Sequence, residues 1–336
     1  PTPGPPPSGT QTPTPTPNPT PTPTPAPTPD PGDVYHVPST IDTSGSSHFT
    51  SKQRSFIDDV PDGSTVRFKA GGVYRISDAI MISGKRNITL DGNGATLRNP
   101  VVGGFRQSHF RIQPDARGTV IRNFTLVGNH AKAGTSDAHD VDHQAQHAIA
   151  IEGASDTLIE GVTIRRVFGD CVFVGQAYGT NAWSDGVTFR DSTCELTGRL
   201  GVATIGGRDI LVERVTFDKI ATAVFGMEPN GSSGGADNAV YRDNTIGSYG
   251  LNDLYTSYFY YASGAQGAPV RNVTITGNTV AGNTSGVGQT LGLDIVVNGD
   301  RGPRENFTVT NNRATISERG PVMTFRNVDG VTVTGN

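Results

Sequence analysis

From residue 87 onward the chain alternates short apolar runs with single turn-prone residues at fixed offsets. Asn87, Gly118, Asp156, Gly186, Asp209, Asn238, Asn272, Asn306 and Gly330 are all Asn, Asp or Gly, the residues that tolerate tight-turn geometry. Three positions after each stands an apolar or aromatic residue: Leu90, Ile121, Ile159, Phe189, Val212, Tyr241, Ile275, Val309 and Val333. Eight positions after each, up to the last, come Ala95, Leu126, Ile164, Cys194, Phe217, Ile246, Val280 and Ala314. A turn residue, a strand and a second strand, recurring in this way, predict a coil whose apolar residues stack into one continuous core.

The differences between successive anchor numbers are 31, 38, 30, 23, 29, 34, 34 and 24. The shortest fits one turn of a parallel β-helix, and the longer ones imply loops inserted into the same frame. A leucine-rich repeat is excluded because regular Leu spacing and a helical period between strands are both missing. The predicted fold class is therefore all-β, a parallel β-helix solenoid over 87–336. The chain ends at Val333-Thr-Gly-Asn336 in the middle of a coil, so a truncated C-terminus is expected.

Ahead of the repeat, 34–86 reads as an N-terminal cap with the first strands. Thr50 to Val60 places Phe56, Ile57 and Val60 on one helical face behind a capping-type Thr or Ser, which predicts a short helix covering the end of the stack. Asp62 to Ile76 alternates like strands joined by Gly turns. Residues 1–33 are a Pro/Thr repeat with almost no apolar side chains, expected to be a disordered, extended linker. Such spacers tether modules of secreted proteins, which predicts an extracellular monomer joined to other modules.

A formal net charge of −4 gives no basic footprint for nucleic acid. No apolar run approaches the roughly 18 residues a membrane helix needs. The two cysteines, Cys171 and Cys194, fall at different repeat positions on neighbouring turns, so two buried free thiols are expected rather than a bridge.

The anchors also give a register for chemistry. Asp170, Leu200 and Ala223 each fall fourteen positions after an anchor, and Val172, Val202 and Phe225 follow as an inward-facing set. His147-Ala-Ile-Ala-Ile matches Asp170-Cys-Val-Phe-Val, which puts His147 one turn before Asp170. With adjacent turns about 4.8 Å apart, His147 and Asp170 are expected to touch and Arg199 to approach Asp170. Gly201, Ala203 and Gly226 are assigned to the outer face, a bare floor suited to an extended ligand. Glu152 and Glu228 share an offset three turns apart, about 14 Å. That exceeds the roughly 5 to 9.5 Å of a glycosidase carboxylate pair, so Asp170 is the better partner for Glu228. Two features flank this column. The loop Ser136 to His143 carries Asp137, His139, Asp140, Asp142 and His143, able to reach a sugar or a cation such as calcium. Tyr255, Tyr258, Tyr260 and Tyr261 offer aromatic faces for sugar rings.

Ile41-Asp-Thr-Ser-Gly, Asp62-Gly-Ser-Thr-Val, Gly72-Val-Tyr-Arg-Ile and Leu90-Asp-Gly-Asn-Gly-Ala-Thr-Leu97 resemble the start of right-handed β-helix proteins of the pectate lyase and polygalacturonase superfamily. The likeness runs over roughly 40–336 and includes bacterial right-handed β-helix repeat proteins. Gly169-Asp-Cys-Val172 is similar to the Gly-Asp-Asp-Cys stretch of polygalacturonases with one Asp missing. The Asn-Thr-Asp, Gly-His-Gly and Arg-Ile-Lys segments of that family have no counterpart, nor does the Arg-x-Pro-x-x-Arg of pectate lyases. The resemblance implies a secreted enzyme acting on an acidic polysaccharide. His147, Asp170, Arg199 and Glu228 are the candidate catalytic residues, with His143, Tyr255, Tyr258 and Tyr260 as substrate contacts. Arg199 neutralising a substrate carboxylate beside a His147 base favours a lyase, and Asp170 with Glu228 as acid and base would make a hydrolase. The alternative is a non-catalytic glycan-binding or adhesin module.

Overall fold

The computed structural model describes residues 32–251, 258–264, 266–281, 292–314 and 323–336. The linker assigned to 1–33 thus lies almost wholly outside the described residues, as does Tyr255. The described strands form three sheets of eleven, ten and nine strands in which every pairing is parallel. The chain visits the three sheets in turn, so each circuit is one coil. The first sheet runs from Val34–His36 to Asp329–Thr334, the second from Ser44–His48 to Arg313–Ala314, and the third from Ile80–Ile82 to Met323–Arg326. Coiling therefore begins at Val34, well ahead of the repeat read from the sequence.

In the first coil a helix, Thr50–Asp59, stands where the third sheet's strand would be. It begins after Phe49, with no side chain capping it. Ile57 and Val60 bury into the core, which closes that end of the stack. At its other end the Lys85 ammonium donates to the carbonyls of Asp58 and Val60 at 2.5 and 2.6 Å, satisfying acceptors left open by the last turn.

All nine anchor residues have positive φ, from 52 to 75°. Asn and Asp accept that left-handed conformation through local hydrogen bonding, and Gly lacks the clash altogether. A second row lies five positions on, at Asn123, Gly161, Asp191, Arg214, Asp243, Gly277, Asn311 and Gly335. The second row follows the last residue of each of these first-sheet strands, whereas from Asp156 onward the anchors lie within the strands as local kinks. Between the two rows, Leu90, Ile121, Ile159, Phe189, Val212, Tyr241, Ile275, Val309 and Val333 pair in direct register. In the second sheet, however, Leu97 rather than Ala95 aligns with Leu126, because the Asn93–Gly94 turn, with φ of 52 and 79°, adds two residues to that coil.

One internal row is polar. Asn244, Asn278, Asn312 and Asn336 stack one per coil, each side-chain oxygen accepting from the amide of the one before it at 2.7 to 2.9 Å. Each nitrogen also reaches a main-chain carbonyl, as Asn278 does to Tyr241 at 3.0 Å.

Cys171 and Cys194 are joined by a disulfide, with Cα atoms 6.1 Å apart. The expectation of free thiols fails because repeat position does not measure distance across the interior. Cys171 sits at the corner leading into Val172–Gly175 of the third sheet, and Cys194 points inward from Thr193–Thr197 of the second sheet one coil later. Inward groups from two sheets meet at that corner.

Candidate active site on the third sheet

On the outer face of the third sheet Ala150, Phe173, Ala203, Gly226, Tyr261 and Val296 lie in register. This face is not a bare floor. Ala150, Phe173, Leu200, Ala203, Ala223 and Tyr261 make a second buried apolar cluster outside the coil. Gly226 is small because Leu200 and the Tyr261 ring occupy the space above it: a Cβ there would lie 2.9 Å from that ring. Gly201 faces the core instead, where a Cβ would meet the Phe217 ring at 2.8 Å.

At one edge of this face the register brings His147 and Asp170 together. Nδ1 of His147 lies 3.0 Å from an Asp170 carboxylate oxygen and 3.2 Å from the Asp170 main-chain nitrogen; protonated it donates to the carboxylate, and unprotonated it accepts from that N–H. The imidazole stacks on Phe173, with centroids 4.5 Å apart and planes 9° from parallel, and meets Phe105 at 5.3 Å. Gly169 permits this approach, since a Cβ there would stand 2.7 Å from Nδ1. Asp170 also accepts from Arg199 at 3.0 and 3.1 Å and from the Leu200 amide at 3.0 Å. Burial pushes its carboxyl up, but Arg199 and then His147 outweigh that, so it lies below the ordinary aspartate value.

Arg199 reaches across to Glu228 with its other terminal nitrogen. Burial works against the guanidinium's charge, yet Asp170 and Glu228 together raise its pKa. Tyr261 donates its phenol proton to Glu228; burial, followed by the Glu228 charge, keeps that phenol protonated far above its usual range. Burial separates the four residues singled out by sequence. Asp170 and His147 are 0% and 2% exposed, whereas Arg199 and Glu228 retain 18% and 21%. The first two are closed to solvent; the last two meet it. Glu152 is engaged elsewhere, by Arg111 at 2.8 Å and Gln113 at 2.6 Å.

The insertion between Thr125–Val127 and Ile149–Glu152, residues 129–146, packs against the edge of this column. His130 stacks on Phe168 with centroids 4.2 Å apart, and its Nε2 bonds the Ala138 carbonyl at 2.5 Å. Gly198 lets the loop settle on the turn before Arg199, since a Cβ there would be 3.0 Å from the Ala138 carbonyl oxygen. His139 is thereby held, partly exposed, in the field of Arg199 and Asp170. Burial first and the Arg199 charge second pull its pKa below the ordinary histidine value, only partly offset by a Gln144 hydrogen bond and by Asp140 and Asp170. His139 is a neutral imidazole at neutral pH. Within the loop, His143 instead pairs with Asp140 at 2.8 Å and lies against Phe168. Among the described residues no three His, Cys, Asp or Glu side chains are grouped to hold one metal ion, so the calcium expectation finds no donor set there.

Of the aromatic contacts, Tyr258 is half-buried beside Tyr261, at 6.1 Å. Tyr260 is fully buried in the core against Tyr241 and Phe307. It is therefore not a ligand contact: strand alternation turns Tyr260 inward and Tyr261 outward. The sequence pattern does not single out His139 or Tyr261 for the column; parity along Tyr260–Ala262 is the signal that would have found Tyr261.

No protein-family profile and no curated protein sequence matches the chain. Solved structures do. An exopolygalacturonase from Thermotoga maritima superposes with a TM-score of 0.59 at 12% identity, over 91% of this chain and 81% of that one. A family 28 exopolygalacturonase from Yersinia enterocolitica gives 0.53 at 13%, over 91% and 79%. An alginate lyase from Paenibacillus sp. str. FPU-7 gives 0.51 at 15%, over 86% and 100%. The fold is the right-handed parallel β-helix. In this β-helix the helix Thr50–Asp59 is the N-terminal cap, and the column from His147 to Glu228 lies on the outer face of the third sheet. Among the described residues no helix is long and apolar enough to cross a membrane.

Proposed function

We propose that the chain is an exported enzyme that cleaves a uronate polysaccharide by β-elimination, at the junction of the 129–146 loop with the outer face of the third sheet. The reading rests chiefly on His139, a neutral and partly exposed imidazole on the loop that packs against the turn before Arg199, within reach of that guanidinium's charge. Abstraction of a C5 proton needs a base that is unprotonated near neutral pH and a cation to neutralise the adjacent carboxylate. His139 takes the proton, the electron pair forms the C4–C5 double bond, and the C4–O bond breaks. The imidazolium then returns its proton to the departing oxygen. Arg199 binds the substrate carboxylate in the place Glu228 now fills, so Glu228 marks that subsite. His147 and Asp170 hold Arg199 from behind.

Two features weigh against the hydrolase form. Its candidate acid, Asp170, is fully buried, and donors already surround its carboxylate. The other acidic residue of this register, Glu152, is held by Arg111 three coils from Glu228. Support for a uronate substrate comes from the names of the similar structures, which specify polygalacturonan and alginate. Export is supported by the buried disulfide, since such bonds persist in oxidising compartments.

A non-catalytic glycan binder is the second reading, favoured by the internal neutralisation of Arg199 between two carboxylates. Incubation with polygalacturonate, alginate and a neutral glucan decides between them. Unsaturated-uronate absorbance rising in step with new reducing ends is expected on an acidic polymer. Reducing ends without absorbance would make the protein a hydrolase, and neither signal would leave binding alone.

A further inference from the structure

A separate cleft lies at the N-terminal end of the stack, at the corner between the first and second sheets. A cleft of about 400 Å³ opens there among the first coils, lined by His36, Ser39, Thr43, Arg67, Lys69 and Asn93 over a base that includes Phe68 and Tyr74. Its size is that of a small-ligand site. Among the described residues no carboxylate lines it. The Lys69 ammonium makes no salt bridge among the described residues; its partner is the Thr43 hydroxyl at 3.3 Å. Arg67 is 37% exposed and shares Asp91 with Arg122, at 3.2 and 3.3 Å, so that one carboxylate faces two guanidinium groups.

The cleft is built firmly. The Lys69 amide donates to the Tyr74 hydroxyl at 3.0 Å, and Phe68 packs edge-on against Tyr74, with centroids 5.2 Å apart. Asn93 is held in a left-handed turn of φ 52°, with its amide donating to Asp91 at 3.0 Å. From Asn93 a shallow polar groove continues past Asn123 and Thr125 to Gly161 and Thr163, along the same corner of successive coils. Cations at one end of a groove lined by amides and hydroxyls match a chain of hydroxylated rings carrying a carboxylate.

We infer that this corner is an anchoring site for an acidic oligosaccharide, with Lys69 and Arg67 taking a sugar carboxylate and Thr43 and Asn93 the ring hydroxyls. The choice of a uronate among anions rests on the reading of the column given above. The preference for an anion stands on the cleft alone. Such a site would hold a long polymer on the protein without taking part in its cleavage.

The test is titration of the isotope-labelled chain with digalacturonate, followed by amide NMR, with cellobiose as the neutral control. The amides of Thr43, Lys69 and Asn93 should shift and saturate with digalacturonate and not with cellobiose. In Lys69→Glu, a change at the exposed rim, the same curves should move to concentrations at least about tenfold higher, as for loss of one charge-assisted contact. Absence of shifts at these amides, equal shifts with cellobiose, or an unchanged curve in Lys69→Glu overturns the proposal. If the column is not an elimination site, turnover is absent while these shifts remain; if the cleft is not a sugar site, the shifts are absent whatever the turnover.

Discussion

His147 and Asp170, on consecutive coils, meet at 3.0 Å with neither side chain more than 2% exposed. A buried carboxylate holding a histidine and an arginine fixes the direction of Arg199, and breaking such an arrangement by removing one charge is costly. Asp170→Asn leaves Arg199 without its main partner inside the protein and is expected to destabilise the fold by about 3 kcal/mol or more. A fall in the urea midpoint at unchanged m-value reads this out. A midpoint within experimental error of the wild type would mean that Arg199 finds solvent instead and that the column is not held from behind.

Glu228 behaves differently because it retains contact with water. As the internal occupant of the carboxylate subsite it competes with substrate. Glu228→Gln is therefore expected to lower KM for a uronate polymer severalfold, with kcat little changed and stability altered by less than about 1 kcal/mol. A collapse of kcat would instead assign Glu228 to acid or base chemistry and revive the hydrolase reading.

The base assigned to His139 sets the acid limb of the pH profile. Its pKa is depressed below the ordinary 6.5, by burial first and by Arg199 second, so the reactive neutral form persists into mildly acid solution. kcat/KM should rise with pH along an acid limb whose midpoint lies below 6.5. His139→Gln should reduce kcat by about 10²- to 10⁴-fold, while His143→Gln, whose ring pairs with Asp140 away from Arg199, should not. An acid limb that survives in His139→Gln would place the base elsewhere.

The fold is legible in this sequence because its grammar is local. Each anchor, from Asn87 to Gly330, is chosen for a positive φ, and the same offsets then fix which residues stack. The meeting of His147 with Asp170 follows from that register alone. Features that depend on paths between repeats are not legible. The 129–146 insertion has no counterpart in neighbouring coils, so nothing in its sequence reports that His130 and Phe168 fold it back beside Arg199. The Cys171–Cys194 bridge is hidden for a related reason, since it joins different sheets at a corner. At Leu97 the register slips by two because the extra turn residues Asn93 and Gly94 belong to that coil alone.

His109 gives the fold a second, separate pH dependence. It is buried, and loss of hydration drives its pKa down to about 4; the carbonyls of Val127 and Leu97 pull it back only in part. A histidine that titrates at 6.5 when unfolded and about 4 when folded binds its proton more readily in the unfolded chain. Stability is therefore full above pH 6.5 and declines as the pH falls toward 4, by about 3 kcal/mol over that interval. Asp170 acts in a lower window, because its depressed carboxyl withdraws stability only as the pH falls below 3.8. Unfolding free energies from urea titrations at pH 7, 5.5 and 4.5 should show the decline, and His109→Asn should flatten it. An equal slope in that variant would assign the titration to another group.

The asparagine row ties successive coils together through buried amide hydrogen bonds. Asn278 accepts from the backbone and side-chain nitrogens of Asn244 at 3.1 and 2.9 Å, and itself donates to Tyr241 and Asn312. Removing one member leaves buried donors and acceptors without partners on the coils to either side, and each orphaned group costs about 1 to 3 kcal/mol. Asn278→Ala should thus destabilise by about 3 kcal/mol or more, although it deletes only a small side chain. Asn278→Asp separates hydrogen bonding from packing. It keeps the shape and the acceptor but places an anion in the core with no basic partner in the row, so it should be at least as damaging at pH 7 and partly recover as the carboxyl is protonated in acid. If both variants unfold at the wild-type midpoint, the row is a consequence of coiling and contributes nothing to holding the coils together.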